Sequence, residues 1–247
     1  MSTLHAHAAH HAPEDSPAAG RRHTTLIVPG FHGSGPAHWQ SWFEGQLPEA
    51  RRVAGIDWEA PILARWAGAV RDAIDRAPGP VWLVAHSFGC LASVVAAADR
   101  PERVAGLMPV APADPERFSL TGLRVPGDPH APQSLARWIP DTPLARPSIV
   151  VASSDDPWVP LPTAARWAER WGSRLDEIGA AGHINVDSGH GPWPEGLERL
   201  QALQAAAGNL PVGGLDGKPQ NRRGRHGALA RLRHGTRSDG QLFELRG

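Results

Sequence analysis

Residues 81–90, VWLVAHSFGC, constrain this chain more than any other stretch. Val81, Trp82, Leu83, Val84 and Ala85 are apolar without alternation. Such a run is expected of a strand buried on both faces, as in a parallel sheet. His86-Ser87-Phe88-Gly89 interrupts it, and residues 90–98, CLASVVAAA, continue as a small, apolar segment suited to a helix packed close on a sheet. Strand, sharp turn with a serine at its apex, then helix is the context that gives a G-x-S-x-G nucleophile elbow its meaning. Here Ala85 and Gly89 hold the two small positions, where the backbone folds too tightly for a bulky Cβ. An elbow of this kind exposes the Ser87 hydroxyl at the carboxyl end of the sheet. It also aims the Phe88 N–H, at the start of the helix, to where an oxyanion would form. Without the elbow, Ser87 is an ordinary serine capping a helix in a strand–helix turn.

Strand-like and helix-like segments alternate around this stretch. Residues 24–29 (TTLIVP) read as a buried strand, followed by the glycine-rich loop 30–35 and a helix over 36–47 whose Trp39, Trp42 and Phe43 recur at helical spacing and belong to the core. A second strand, ending in Asp57, is expected within 51–58. An amphipathic helix over 63–76, with Leu63, Trp66, Ala67, Val70 and Ile74 on one face, ends at Pro78-Gly79-Pro80. Further strands are expected at 104–111, 148–153 and 174–178, and further helices at 162–171 and 194–207. Residues 112–147 are rich in loops and proline, with a short helix around 133–139, and lie where a small lid would be inserted. Six strands alternating with helices predict an α/β domain over 24–207, with a mostly parallel, doubly wound sheet and helices on both faces. In such sheets ligands bind at the carboxyl ends of the strands.

Composition narrows the function classes. Lys and Arg number 25, as do Asp and Glu, so no overall field points to nucleic acid or a membrane surface. The single cysteine, Cys90, excludes an internal disulfide. No apolar run approaches the ~20 residues of a membrane span, and the N-terminus lacks the apolar core of a secretory signal, so a cytoplasmic protein is expected. Residues 1–23, rich in His, Ala and Pro, read as a disordered arm. Its His5, His7, His10 and His11 have no cysteine or carboxylate cluster to complete a metal shell, and no metal or cofactor is expected. Residues 208–247 carry eight basic and three acidic side chains and read as a disordered basic tail, with no interleaved aromatics of the kind used to bind single-stranded nucleic acid.

A serine hydroxyl needs a base within hydrogen-bond reach, and the base needs an orienting carboxylate. Ser87, then Asp155 or Asp156, then His183 follow the chain order of α/β-hydrolases. Asp156, whose loop is stiffened by Pro157, is the preferred acid, and Asp155 its alternative. His183, in the Gly182-His183 loop after the last strand, is the preferred base; His190, seven residues on, competes. His86 is adjacent to Ser87 but points away from it on an elbow, which leaves it a packing or supporting role. The second oxyanion donor is expected from the loop after the first strand, as the backbone N–H of Phe31.

The stretches VPGFHGSGPAHWQSWFE, GIDWEAP, VAHSFGC, SSDDPWVP and GHINVDSGHGPWPEG, in this order between about Leu26 and Leu203, resemble the small serine hydrolases that include retinoblastoma-binding protein 9 and its bacterial relatives. The resemblance implies a compact α/β-hydrolase fold with little or no cap and a triad carried here by Ser87, Asp156 and His183. It further implies hydrolysis of small ester or amide substrates. A catalytically silent binding protein on the same scaffold and a peptidase using the same triad are the alternatives.

Overall fold

The computed structural model describes residues 23–125 and 132–208. The chain divides into two units, residues 1–210 and 211–247, and every described residue belongs to the first. The expected arm (but for His23) and the basic tail (but for Gly208) lie outside the described residues.

Six strands form one parallel sheet: β1 (Thr24–Val28), β2 (Ala50–Arg52), β3 (Val81–His86), β4 (Val104–Val110), β7 (Ile149–Ala152) and β8 (Arg174–Glu177), in the order β2-β1-β3-β4-β7-β8. A two-stranded antiparallel hairpin, β5 (Phe118–Ser119) and β6 (Gly122–Leu123), stands apart from it. The helices are α1 (Trp39–Gln46), α2 (Leu63–Arg76), α3 (Phe88–Asp99), α4 (Leu161–Trp171) and α5 (Pro194–Gly208).

Two cores follow from the period-2 geometry of the strands. Leu26, Val28, Leu83, Ala85, Leu107 and Val150 face α2, α3 and α4 with Trp66, Val70, Leu91, Val94 and Trp167. Their neighbours Ile27, Trp82, Val84, Met108 and Val151 face the opposite way, against Trp39 and Phe43 of α1 and Leu200 of α5. Burial on both faces explains why β3 and β4 read as unbroken apolar runs. Edge strand β8 is mostly exposed, and its charged Arg174, Asp176 and Glu177 blunt it against strand addition. The second strand is shorter than the sequence pattern implies. It ends at Arg52, and residues 53–62 form a loop whose Trp58 carbonyl accepts a hydrogen bond from the His32 N–H (2.9 Å). The segment 111–148 holds two single-turn 3-10 helices, Pro115–Arg117 and Leu135–Trp138, and the hairpin.

After β1 the chain passes to α1 on one face, and after β3 it passes to α3 on the other. The loops leaving two neighbouring strands therefore diverge, which opens a crevice between them. Buried Gln40 sits at this point and ties the strands together behind the crevice. Its amide donates to the carbonyls of Val28 (3.1 Å) and Val84 (3.2 Å) and its oxygen accepts from Ser34 Oγ (2.6 Å).

Candidate active site

Ser87 occupies the turn between β3 and α3 with φ 50° and ψ −122°, a conformation costly for a residue with a Cβ. The surroundings hold it there. Its N–H donates to the Val110 carbonyl (3.0 Å), and its own carbonyl accepts from Cys90 (3.0 Å) and Ala113 (3.2 Å). The tight turn brings α3 against the end of β1. A Cβ on Gly89 would lie 2.5 Å from the Val28 carbonyl oxygen and closer still to that of Pro29. A Cβ on Gly30 would lie 2.8 Å from Ser87 Cβ, so the first-strand loop passes directly beside the serine.

Ser87 Oγ and His183 Nε2 are 2.9 Å apart, and His183 Nδ1 and Asp156 Oδ2 are 2.8 Å apart. With Nδ1–H donating to the carboxylate, Nε2 is left as the acceptor for the serine O–H. The Asp156 side chain is 2% exposed and that of His183 11%. The other oxygen of Asp156 accepts the backbone N–H groups of Trp158 (2.8 Å) and Val159 (3.2 Å), which orients the carboxylate. Asp155 turns elsewhere: its Oδ1 accepts from Ser153 Oγ and from the Gly182 N–H, both at 2.7 Å. The Ser153 hydroxyl, with the Gly182 N–H beside it, holds this carboxyl below the usual carboxylate range. His190 lies away from the serine, its Nδ1 against Ser188 (3.2 Å to the carbonyl) and its ring on Trp193.

The N–H of Phe88, first residue of α3, has no acceptor within its helix. Phe31 is the second residue of the turn closed by Gly33 N–H to Gly30 O (2.9 Å), with His32 left-handed at φ 68°. That turn leaves the Phe31 N–H outside its own hydrogen bond. Phe31, Ser87 and His183 line one cleft of about 310 Å³. Phe118 and Leu123 of the hairpin, Val159, and Trp158 with the Arg117 guanidinium 4.3 Å over its ring form an apolar part of the wall, and Asp114, Asn185 and Asp187 a polar part. Trp158 is half exposed on this wall, whereas Trp193 is buried against Trp39 and Phe43. Sequence reasoning missed the hairpin and Arg117, which carry no periodic or motif signal, and the role of Gln40, whose contacts the stretch VPGFHGSGPAHWQSWFE does not reveal. Among the described residues no group of three His, Cys, Asp or Glu side chains is placed to hold a metal. No helix there is long and apolar enough to cross a membrane.

Buried histidines lie behind the site. His38 is 4% exposed; burial, then Arg52 and the neighbouring His183 and His190, bring it down to about 4. Burial likewise holds His86 far below the ordinary imidazole value, with His183 and His38 adding to the effect. Burial pushes the Cys90 thiol up, so it offers no competing nucleophile. The unfolded chain takes up a proton at His38 near pH 6.5, the folded one only near 4. Stability from neutral His38 is therefore full above pH 6.5 and falls as pH drops through this window, by about 2 kcal/mol at pH 5. Denaturant midpoints at pH 7 and pH 5 will show a smaller acid loss for His38→Asn than for wild type; equal losses contradict this assignment.

A family profile described as serine hydrolase matches residues 25–202. No curated protein sequence matches the chain significantly. Among solved structures, a protein designated a YdeN-like hydrolase from Pectobacterium atrosepticum is 35% identical, with a TM-score of 0.67 over 76% of this chain and 93% of that one. The ydeN gene product of B. subtilis is 22% identical, with a TM-score of 0.58 over 74% of this chain and 100% of that one. Est1E from Butyrivibrio proteoclasticus, with ferulic acid bound, is 18% identical, with a TM-score of 0.56 over 78% and 94%. At those last two identities the likeness is one of fold, and it is the α/β-hydrolase fold. With the profile spanning most of the sheet and every loop of the cleft, the chain belongs to the serine hydrolase family.

Proposed function

We propose that this protein hydrolyses small carboxylic esters, or activated amides, through a covalent acyl-enzyme on Ser87. The unbroken hydrogen-bonded line from Ser87 through His183 to the buried Asp156 carries this reading. In the first half-reaction Ser87 Oγ attacks the carbonyl carbon as its proton passes to His183 Nε2. The tetrahedral oxyanion lies against the N–H groups of Phe31 and Phe88; each such donor is worth about 3–4 kcal/mol in comparable sites. His183 then delivers the proton to the leaving oxygen or nitrogen, which frees the alcohol or amine. In the second half-reaction water gives its proton to His183, adds to the acyl carbon, and releases the acid as Ser87 regains its proton. Asp156 holds the imidazole with Nδ1–H toward it and stabilises the imidazolium that forms in each half.

In a cleft of about 310 Å³, the side formed by Phe31, Phe118, Leu123, Trp158 and Val159 suits a compact apolar acyl or aryl group, while Asp114, Asn185 and Asp187 leave the rest polar. The expected activity is hydrolysis of p-nitrophenyl acetate and butyrate, unchanged by a chelator because no step uses a metal. A folded protein inactive on both esters, or one silenced by the chelator, contradicts this function.

A further inference from the structure

Four consecutive residues of the loop that carries His183 are each held by a side chain from another part of the fold. The Ala181 N–H donates to Ser153 Oγ (2.9 Å), and the Gly182 N–H donates to Asp155 Oδ1 (2.7 Å). The His183 carbonyl lies 2.9 Å from His86 Nε2, and the Ile184 carbonyl accepts from Trp39 Nε1 (2.8 Å). The loop needs holding. Gly182 (φ 55°) and Ile184 (φ 48°) place left-handed residues on both sides of His183, and that conformation is costly for a β-branched side chain.

His86 differs from the other three tethers because it is also the residue before Ser87. A hydrogen bond from its Nε2 to a carbonyl requires the proton on Nε2. Its ring is 5% exposed and packs 4.9 Å from the His183 ring and 5.0 Å from that of His38. A closed cycle results: Ser87 is bonded covalently to His86, His86 is hydrogen-bonded to the main chain of His183, and the His183 side chain is hydrogen-bonded to Ser87.

We propose that His86 is a positioning residue that sets the distance between Ser87 and His183 by tying the backbone of the base to the residue preceding the nucleophile. The proposal rests on the reading of Ser87 and His183 as nucleophile and base. His86 does not line the cleft, so its loss is felt in the chemical step and not in substrate binding. A misplacement of about 1 Å between reacting groups costs on the order of 10²-fold.

The test compares wild type, His86→Phe, which fills the space without a donor, and His86→Gln, whose amide N–H₂ can reach the same carbonyl. The readouts are kcat and KM on p-nitrophenyl butyrate, the rate of fluorophosphonate labelling, and melting temperature. His86→Phe is expected to lower kcat and the labelling rate together by about 30- to 100-fold with KM within about twofold, and His86→Gln to restore most of the loss. Wild-type kcat in folded His86→Phe, or a loss confined to KM, overturns the proposal. If His86→Phe does not fold, His86→Asn, with an amide too short for the carbonyl, replaces it, and equal kcat for the Asn and Gln variants overturns the proposal. A wild type that cleaves no ester removes the reading of Ser87 and His183 itself. Active wild type with unaffected His86 variants removes only the role of His86.

Discussion

Replacing Ser87 with alanine is expected to lower kcat/KM on a short aryl ester by about 10⁴-fold or more while shifting the melting temperature by no more than a few degrees. The substitution removes one atom, Oγ, whose hydrogen-bond partner is His183 Nε2. The strained turn is held by main-chain bonds to Val110, Cys90 and Ala113, which alanine keeps. What remains is the base and the N–H pair, which have nothing to deprotonate and no covalent intermediate to support. Asp156→Asn is expected to act on the same step by about 10³-fold, because an amide toward His183 Nδ1 no longer fixes the imidazole tautomer or balances the imidazolium. Asp155→Asn is expected to cost less than about tenfold, since an amide oxygen still accepts the Gly182 N–H. Steady-state kinetics on the three purified variants, with melting curves as folding controls, check this ordering. Equal effects at positions 155 and 156 contradict the assignment of the acid.

A large effect on stability is expected at Gly89, where the tight elbow meets the first strand. Alanine there would drive its Cβ into the carbonyls of Val28 and Pro29, and both contacts are backbone at the end of a central strand. Neither can swing aside, so α3 must move off β1, taking Ser87 and the Phe88 N–H with it. The cost is expected to reach about 3 kcal/mol or more. For a domain of this size that lowers the melting temperature by about 6–12 °C. Gly45→Ala is the control. That glycine lies in α1 with open space around its Cβ position, and alanine is the better helix former. A Gly89→Ala protein that melts with the wild type overturns the account of why this elbow ends in glycine.

The sheet was legible in the sequence where its strands are long and buried on both faces. β1, β3, β4 and β7 show as apolar runs, and α2 shows its buried Leu63, Trp66, Ala67, Val70 and Ile74 at helical spacing. The hairpin at Phe118–Leu123 was not legible, because strands of two residues cannot display alternation. For the site, the order serine, acid, histidine narrowed the candidates to neighbours that local pattern cannot separate. Asp155 and Asp156 share one turn, and their carboxylates diverge only because the turn spends one on the Gly182 N–H and aims the other at His183. His183 and His190 both follow glycine, and tertiary packing alone brings the first to Ser87. Helical spacing put Trp39 in the core, but its indole N–H also holds the loop that carries His183, a contact across 145 residues that no periodicity encodes.

The most direct test of an activated Ser87 is to treat the folded protein with a fluorophosphonate and locate the adduct by peptide mass mapping, with Ser87→Ala in parallel. One phosphonyl group on Ser87 of the wild type, and none on the variant, is the predicted result. A folded wild type that takes no label, or takes it on another serine, contradicts the hydrogen-bonded line from Ser87 through His183 to Asp156 as the working site.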